Sequence, residues 1–409
     1  MEPDVVVVGG GAVGVTAAYE LARRGLRTVL LERGELGGGC SSGNAGLVCP
    51  SHSHPLATPA ALREGLRSLA RRDGVLGLRL RPATAAWLAR FVAACREERA
   101  ERGAAAIRSV SVASLELHAE LAALGTGFER RGIVSVFETE ARLAAGRAEA
   151  DRLGLRARPL SAVEARALEP GLGGAVAGAV YFPDEAHLEP LGYVRALARA
   201  AAAAGAELRA GVEVRALRAR PGGIAVEAGG ATLRPRTVVL AAGAWSARLA
   251  RGLGVFLPLT GGKGYHVDLA PAPGDPALPL LLQEARTAVT PLPGRLRLAG
   301  TLEVAGLDLS VHRGRVEAIR RAAARVLGHG GREVLDVWAG LRPCTPDGLP
   351  VIGSPDGLPA LVLATGHAMK GLSLAPVTAR LVAELAAGEA PSHDLTPFAP
   401  GRFRRLPRR

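Results

Sequence analysis

Aromatic residues and lysine are scarce in this sequence. Phenylalanine, tryptophan and tyrosine make up 3% of its 409 residues, and Lys263 and Lys370 are its two lysines. Proteins that bind nucleic acid usually stack bases on aromatic side chains or present clustered basic residues. Although the formal net charge is +13, the arginines are spread along the whole chain. We therefore expect no nucleic-acid partner, while this dispersed charge leaves peripheral association with an anionic membrane open.

Cysteine and long apolar runs are also sparse. The four cysteines show no C-x-x-C spacing, which predicts unpaired thiols, a reducing compartment and no metal site. No uncharged apolar stretch reaches the roughly 20 residues of a membrane span. The chain opens with Glu2 and Asp4, whereas a signal peptide begins with basic residues. We expect a cytoplasmic protein, with the inner face of the cell membrane as the alternative location.

The first 33 residues have the pattern of a strand, a helix and a second strand. Residues 4–8 and 28–31 are apolar runs of the kind that form buried parallel strands. The segment between them predicts a helix over residues 13–24, which carries basic residues in its last turn and stops at Gly25. This arrangement predicts a βαβ unit at the start of an α/β domain.

A glycine fingerprint lies at the first turn of this unit. Gly9, Gly11 and Gly14 fit the G-x-G-x-x-G pattern directly after a strand, and Ala12 and Val13 begin the helix. These glycines permit a tight turn, a close approach to a pyrophosphate and close packing of helix on strand. Glu32 ends the second strand, where its carboxylate can accept hydrogen bonds from ribose hydroxyls and would repel the 2′-phosphate of NADP. The fingerprint therefore predicts a dinucleotide but leaves NAD and FAD open.

Further elements follow along the chain. Residues 34–60 are rich in Gly, Ser and Pro and predict a long functional loop, and helices are expected over residues 82–124. Strands are expected over residues 132–137, 207–217, 223–227, 231–233 and 237–246, helices over 193–204 and 372–385, and strands of a second sheet over 258–306.

Five motifs resemble the superfamily of FAD enzymes that contains D-amino-acid dehydrogenase, glycine oxidase and sarcosine oxidase. They look most like the D-amino-acid dehydrogenase branch and extend over nearly the whole chain. The motifs are Gly39-Cys-Ser-Ser-Gly-Asn-Ala-Gly-Leu-Val, Gly262-Lys-Gly-Tyr, Gly300-Thr-Leu-Glu, Gly340-Leu-Arg-Pro-Cys-Thr-Pro-Asp-Gly-Leu-Pro-Val-Ile-Gly, and Gly366-His-Ala-Met-Lys-Gly-Leu-Ser-Leu-Ala-Pro.

The resemblance implies FAD as the cofactor and assigns it a set of binding residues beyond the fingerprint. One segment would wrap the pyrophosphate and reach the flavin, and another would face the pyrimidine edge of the ring. The implied residues are Arg33, Ser41, Ser42, Gly43, Asn44, Ala45, Gly46, Leu47, Val48, Val214, Ala242, Gly243, Trp245, Gly366, His367, Met369, Lys370, Gly371, Leu372 and Ser373.

The resemblance also implies a substrate site. Arg342, in the Gly340 motif, matches the arginine that binds the substrate carboxylate, a role for which a planar guanidinium with two parallel donors is suited. Lys263 is the second lysine retained inside a family motif, and it is a candidate for holding charge near the flavin. Tyr265, His266, His54 and His367 are further candidates for the pocket, each with the alternative of a packed or hydrogen-bonded structural residue.

Two departures from relatives narrow the prediction. Glycine oxidase has a second arginine where this sequence has Met369, which disfavours a small glycine-type substrate. The cysteine through which sarcosine oxidase attaches its flavin falls on Gly340, which implies non-covalent FAD. Cys344 is then a bystander.

We predict FAD-dependent oxidation of a D-amino acid or cyclic D-imino acid by hydride transfer from the α-carbon to flavin N5, with oxygen, a quinone or another protein as electron acceptor. The alternatives are a glycine or sarcosine type of secondary-amine oxidase, an NAD-dependent dehydrogenase, and a basic nucleic-acid or membrane-surface binder. The predicted fold is α/β plus α+β: a Rossmann-like FAD-binding domain (residues 1–86, 145–250 and 336–409) interleaved with a substrate domain (87–144 and 251–335) built on a mainly antiparallel sheet.

Overall fold

The structure is a computed structural model that describes residues 2–69, 76–78, 82–328 and 330–403. Within these residues, no helix is long and apolar enough to cross a membrane. The helices are α1 (Ala12–Arg23), α2 (Pro59–Leu69), α3 (Pro82–Ala94), α4 (Glu97–Leu121), α5 (Glu140–Leu153), α6 (Ala162–Leu168), α7 (Pro190–Ala203), α8 (Ser246–Arg251), α9 (Arg313–Leu327) and α10 (Ala375–Ala387).

The strands described are more numerous than the helices and form four sheets. They are β1 (Val5–Val8), β2 (Thr28–Leu31), β3 (Leu47–Val48), β4 (Leu76–Leu78), β5 (Ile133–Phe137), β6 (Arg158–Ser161), β7 (Gly178–Phe182), β8 (Ala186–His187), β9 (Glu207–Arg209), β10 (Val214–Arg220), β11 (Gly223–Ala228), β12 (Ala231–Leu233), β13 (Thr237–Leu240), β14 (Thr260–Leu269), β15 (Leu280–Leu282), β16 (Thr287–Leu292), β17 (Arg295–Val304), β18 (Val334–Cys344), β19 (Val351–Gly353) and β20 (Leu361–Thr365).

The predicted βαβ unit lies at the centre of a six-stranded sheet with the order β19-β20-β13-β1-β2-β9. All its pairings are parallel except that of β19 with β20. Val5 and Val7 of β1 pack in one apolar core with α1, α7 and α10, whereas Val6 and Val8 pack against the sheet formed by β10, β11 and β12. Because both faces of β1 are covered, its sequence is continuously apolar rather than alternating.

The second large sheet has the order β18-β14-β17-β16-β15-β5-β7-β6, with β4 paired to β17. It is mainly antiparallel, since only the β15–β5 and β17–β4 pairings are parallel. One face packs on α9, where Tyr265 and Val267 share an apolar core with Ile319. The predicted fold class is confirmed in this pairing of a Rossmann-like sheet with a mainly antiparallel one.

The structure differs from the sequence prediction in two respects. The strand expected over residues 207–217 is two strands, β9 and β10, in different sheets, because the chain turns at Gly211 with a φ of +73°. The sheets also divide the chain elsewhere than the predicted boundary at residue 145, since β6 and β7 are hydrogen-bonded into the large antiparallel sheet through β5. Residues 70–75, 79–81 and 404–409 of the predicted FAD-binding segments lie outside the described residues.

Candidate active site

A cavity of about 1170 Å³ lies between the two large sheets. Its walls include the carboxyl end of β1, the loop after β2, the start of α1, and the carboxyl ends of β13 and β20, where open α/β sheets bind their ligands. The opposite wall comes from β14, β17 and β18 of the antiparallel sheet. The fold therefore brings the predicted dinucleotide site and the predicted substrate arginine into one space.

The glycine fingerprint has the geometry that its spacing predicts. Gly9 adopts a φ of +110°, and a Cβ there would lie 2.6 Å from the carbonyl oxygen of Ala241. A Cβ on Gly14 would overlap the Gly9 carbonyl, so helix and strand pack too closely for any side chain. Gly11 is the N-cap of α1, and the helix N-terminus faces the cavity. The observed packing explains why glycine is needed at both ends of the turn.

Two side chains fix the loops around this turn. Glu32 accepts hydrogen bonds from the backbone amides of Gly10 (2.7 Å) and Gly34 (3.0 Å), so its carboxylate is held at the cavity wall. The Ser41 hydroxyl accepts from the Ala12 amide at 3.0 Å, which places a polar oxygen at the positive end of the α1 dipole. These residues fit FAD, because the turn lets the backbone approach a pyrophosphate and Glu32 is placed for ribose hydroxyls.

Arg33 and Trp245 line the cavity, and the guanidinium carbon of Arg33 lies 3.9 Å from the ring centroid of Trp245. Val214, Ala242 and Gly243 line the same region. The cation–π contact holds both long side chains in place beside Glu32.

Lys370 lines the cavity from the turn between β20 and α10. Its Nζ donates to the carbonyl oxygen of His54 at 3.0 Å. Burial lowers the pKa of Lys370 to about 8, and the proximity of Cys49 acts in the opposite direction. No carboxylate of the described residues forms an ion pair with this ammonium group, which is therefore available to an anion in the cavity.

Arg342 projects from β18 into the same cavity. Its Nη1 donates to the carbonyl oxygen of Thr301 at 2.8 Å, and it forms no ion pair with any described residue. The guanidinium lies directly over Gly264, where a Cβ would overlap it. Burial lowers the pKa of Arg342, yet an arginine remains cationic in proteins. The site thus holds a partly buried cation with unused donors.

A β-bulge in β17 lies at Thr301. Lys263 and Tyr265 of β14 pair with Glu303 and Gly300, so three residue steps of β17 face two of β14. Thr301 has a φ of +63°, which is strained for a β-branched residue. The described non-glycine residues with positive φ are Arg286, Thr301 and Ala368, and all three line the cavity. Such concentration of backbone strain is typical of functional sites.

Two predicted catalytic residues of β14 are engaged with other protein groups. Lys263 is fully buried outside the cavity lining, and its Nζ lies 2.9 Å from the Ser310 carbonyl oxygen and 3.3 Å from carboxylate oxygens of both Glu303 and Asp308. Tyr265 lines the cavity but donates its hydroxyl to Glu303 at 3.0 Å. Burial and the adjacent Glu303 raise the pKa of Tyr265. Neither group is free to move a proton on a substrate.

Two of the three predicted histidines, His54 and His367, line the cavity but are also paired, whereas His266 does not line it. His54 Nε2 contacts the carboxylate of Glu149 on α5. His367 is buried with Nε2 3.0 Å from the Thr378 hydroxyl, and burial lowers its pKa to about 4. His367 is therefore neutral at physiological pH.

Most of the cofactor residues implied by resemblance do line the cavity. Those that lie behind its wall are Gly14, Ser42, Gly46, Val48 and Gly366. Sequence reasoning missed Gly264, Thr301 and Trp338, which line the substrate side. Gly264 and Thr301 stand inside quoted motifs, whereas Trp338 had no sequence signal. In the structure its ring lies against two glycines, since a Cβ on Gly43 or Gly340 would overlap it.

The chain matches a known family and is similar to named proteins over almost its whole length. A family model described as FAD dependent oxidoreductase matches residues 4–385. The chain is 36% identical to a D-amino acid dehydrogenase of Paramagnetospirillum magneticum and 33% identical to one of Methylobacterium radiotolerans, with alignments that cover 98% of this chain and 98% and 99% of those proteins. The fold is similar to glycine oxidase from Geobacillus kaustophilus, with a TM-score of 0.78, 28% identity, and coverage of 99% and 100% of the two chains.

Proposed function

Because the chain belongs to the DAO family of FAD-dependent oxidoreductases, we propose that it oxidises a D-amino acid or cyclic D-imino acid at the α-carbon. The observation that carries this proposal is the Arg342 guanidinium, which faces the cofactor cavity without any carboxylate partner among the described residues. A partly buried cation of this kind is costly unless an anion pairs with it. An α-amino-acid carboxylate supplies that anion with matching bidentate geometry.

The residues around the cavity would bind and orient the substrate. Arg342 would hold the carboxylate, and the Thr301 carbonyl would keep the guanidinium in one orientation. FAD, when bound, accepts the α-hydrogen as hydride at flavin N5. A neutral substrate amine provides the electron pair that becomes the imine bond, so no side-chain base is needed at the α-carbon. This agrees with the engagement of Tyr265, His54 and His367 by other protein groups.

The other end of the flavin site contains Lys370. We propose that its ammonium, together with the backbone amides of residues 371–373, stabilises negative charge on the pyrimidine edge of the ring. The lowered pKa of Lys370 makes the gain from pairing with an anion larger, because its charge is otherwise desolvated. Sequestration of Lys263 by Glu303 and Asp308 leaves Lys370 as the better candidate of the two lysines.

Non-covalent attachment of FAD is part of the proposal. A cysteine side chain does not fit at residue 340, since even a Cβ would overlap the Trp338 ring. Acid precipitation of the holoenzyme should release all flavin into the supernatant. Flavin that stays with the precipitated protein would contradict this part of the proposal.

The two-domain organisation is also a proposal, with one change to its limits. Sheet pairing supports a FAD-binding unit built from β1, β2, β9, β13, β19 and β20, and a substrate unit that includes β6 and β7 as well as the predicted residues 87–144 and 251–335.

The decisive experiment is anaerobic reduction of the bound flavin by a panel of substrates. The panel contains both enantiomers of several amino acids, D- and L-proline, glycine and sarcosine. We expect D-enantiomers to bleach the flavin absorbance at low concentration and L-enantiomers to leave it unchanged. Faster bleaching by glycine or sarcosine would instead support a secondary-amine oxidase, the alternative favoured by structural similarity to glycine oxidase.

A further inference from the structure

We propose that Arg297 and Asp268 act as positioning residues for FAD by clamping the cofactor loop, defined here as residues 41–48. Both belong to the antiparallel sheet of the substrate side, and neither lines the cavity. The inference depends on FAD as the cofactor but not on which amino acid is oxidised.

Arg297 is buried and uses its whole guanidinium. Its Nε and Nη2 donate to the two carboxylate oxygens of Asp268, both at 2.8 Å. Its Nη1 donates to the carbonyl oxygens of Ser42 (2.6 Å) and Asn44 (2.9 Å) in the cofactor loop. One side chain therefore joins a carboxylate of β14 to two alternate peptide groups of a loop some 250 residues earlier in the chain.

These two carbonyls determine where the adjacent amides point. In a trans peptide the C=O and the following N–H point in opposite directions. With the Ser42 and Asn44 carbonyls turned toward Arg297, the amides of Gly43 and Ala45 are directed away from it, and both residues line the cavity. Neither amide donates a hydrogen bond to a described residue. The clamp thus presents two unused donors to the acceptor-rich parts of FAD.

The charges around the clamp are balanced. Asp268 also lies 3.0 Å from Arg295 Nε, whose other end pairs with Glu189 at the start of α7. Burial raises the pKa of Asp268, but Arg297 outweighs it and holds that pKa below its usual range. Asp268 therefore remains ionised and keeps the Arg297 fork in one plane. A lysine has one donor atom in place of this planar fork and cannot reach all four acceptors.

Strand pairing makes the clamp rigid. Asp268 and Arg297 are directly opposed in the register of β14 and β17. On β14, two residues before Asp268, His266 stacks on Trp338 and places Nδ1 3.3 Å from the Gly43 carbonyl oxygen. Three successive carbonyls of the loop, those of residues 42–44, therefore face the sheet. The cofactor loop is held by the sheet that also carries Arg342.

The test compares Arg297→Lys with Arg332→Lys in the purified holoenzyme. Arg332 is a matched control, because its side chain is only 9% exposed, it pairs with Asp275 through both Nη atoms and it donates to the Ala270 carbonyl, yet it does not line the cavity or contact the loop. FAD release after dilution is followed by the rise in flavin fluorescence. We expect Arg297→Lys to raise the Kd for FAD by about 10- to 100-fold and Arg332→Lys by less than about 3-fold.

A second readout separates positioning from general destabilisation. Hydrogen–deuterium exchange of the holoenzyme should increase at residues 41–48 in Arg297→Lys, with unchanged exchange in β1 and α1. Equal weakening of FAD binding by the two variants, or unchanged exchange in the loop, would overturn the proposal. Should Arg297→Lys fail to fold, Asp268→Asn provides the same test: we expect about a 3- to 10-fold higher Kd, and an unchanged Kd would overturn it.

Discussion

Arg342 of β18 and Arg297 of β17 pair with residues toward opposite ends of the same strand, β14, and show opposite uses of the same side chain. Arg297 pairs with Asp268 and donates to two carbonyls, so all its donor nitrogens are engaged. Arg342 donates one hydrogen bond, to the carbonyl oxygen of Thr301, whose backbone is strained. It has no acidic partner among the described residues. The guanidinium of Arg297 therefore holds the cofactor loop, whereas that of Arg342 has donors left for a ligand. A structural arginine has its charge paired within the protein, and a ligand-binding arginine does not.

The largest expected effects follow from replacing Arg342 and Arg297 themselves. We expect Arg342→Met to lower kcat/KM by about 100- to 1000-fold without reducing the free energy of unfolding, since it removes a buried charge that has no partner. We expect Arg297→Met to reduce the free energy of unfolding by ~3 kcal/mol, because Asp268 loses its bidentate partner. Steady-state kinetics and urea denaturation measure the two effects. Similar destabilisation by both variants would make Arg342 a structural residue.

A second prediction concerns the pH dependence set by Lys370. Because its folded-state pKa of about 8 is below the ordinary lysine value of 10.5, the unfolded chain binds more protons between these values. The free energy of unfolding should therefore rise with pH through this window, by up to ~3 kcal/mol. Urea denaturation of flavin-free protein should show this rise in the wild type and lose it in Lys370→Met. An identical pH profile for the two proteins would contradict the assigned burial.

A third prediction concerns a substitution that displaces the Arg342 guanidinium without removing it. Gly264→Ala places a Cβ where the Arg342 guanidinium lies. We expect kcat/KM to fall by about 10- to 100-fold, with FAD content unchanged, because small displacements of a positioning group are costly to catalysis. Gly314→Ala is the control, since nothing lies within 4 Å of a Cβ at that position. Full activity in Gly264→Ala would show that the guanidinium has room to shift.

The smallest effect is expected beside the clamp, at Asp336. Its carboxylate lies 3.1 Å from His266 Nε2, but its side chain is 59% exposed. Exposed ion pairs contribute about 0–1 kcal/mol. Asp336→Asn should therefore change the free energy of unfolding by less than ~1 kcal/mol and the Kd for FAD by less than about 3-fold. A larger loss of FAD affinity would extend the clamp to His266 and Asp336.

Much of the cofactor side was predictable because its signals are local. The βαβ unit was predicted to within one residue at most of its limits, since strand, turn and helix patterns are read over a few residues. The break between β9 and β10 was missed because a single glycine in an alternating strand pattern does not reveal which sheet each half joins. Lys263 was singled out because lysine is rare in this sequence, yet its side chain is buried and its partners come from residues 303–310.

The sequence by itself determined a dinucleotide-binding turn, because glycine spacing and backbone geometry are coupled over six residues and need no distant partner. Only the tertiary structure decided that Arg342, one of 49 arginines, faces the cavity without a carboxylate partner among the described residues. The free energy of a buried charge depends on what surrounds it in space, and for Arg342 and Arg297 those surroundings come from strands and loops far apart in the chain.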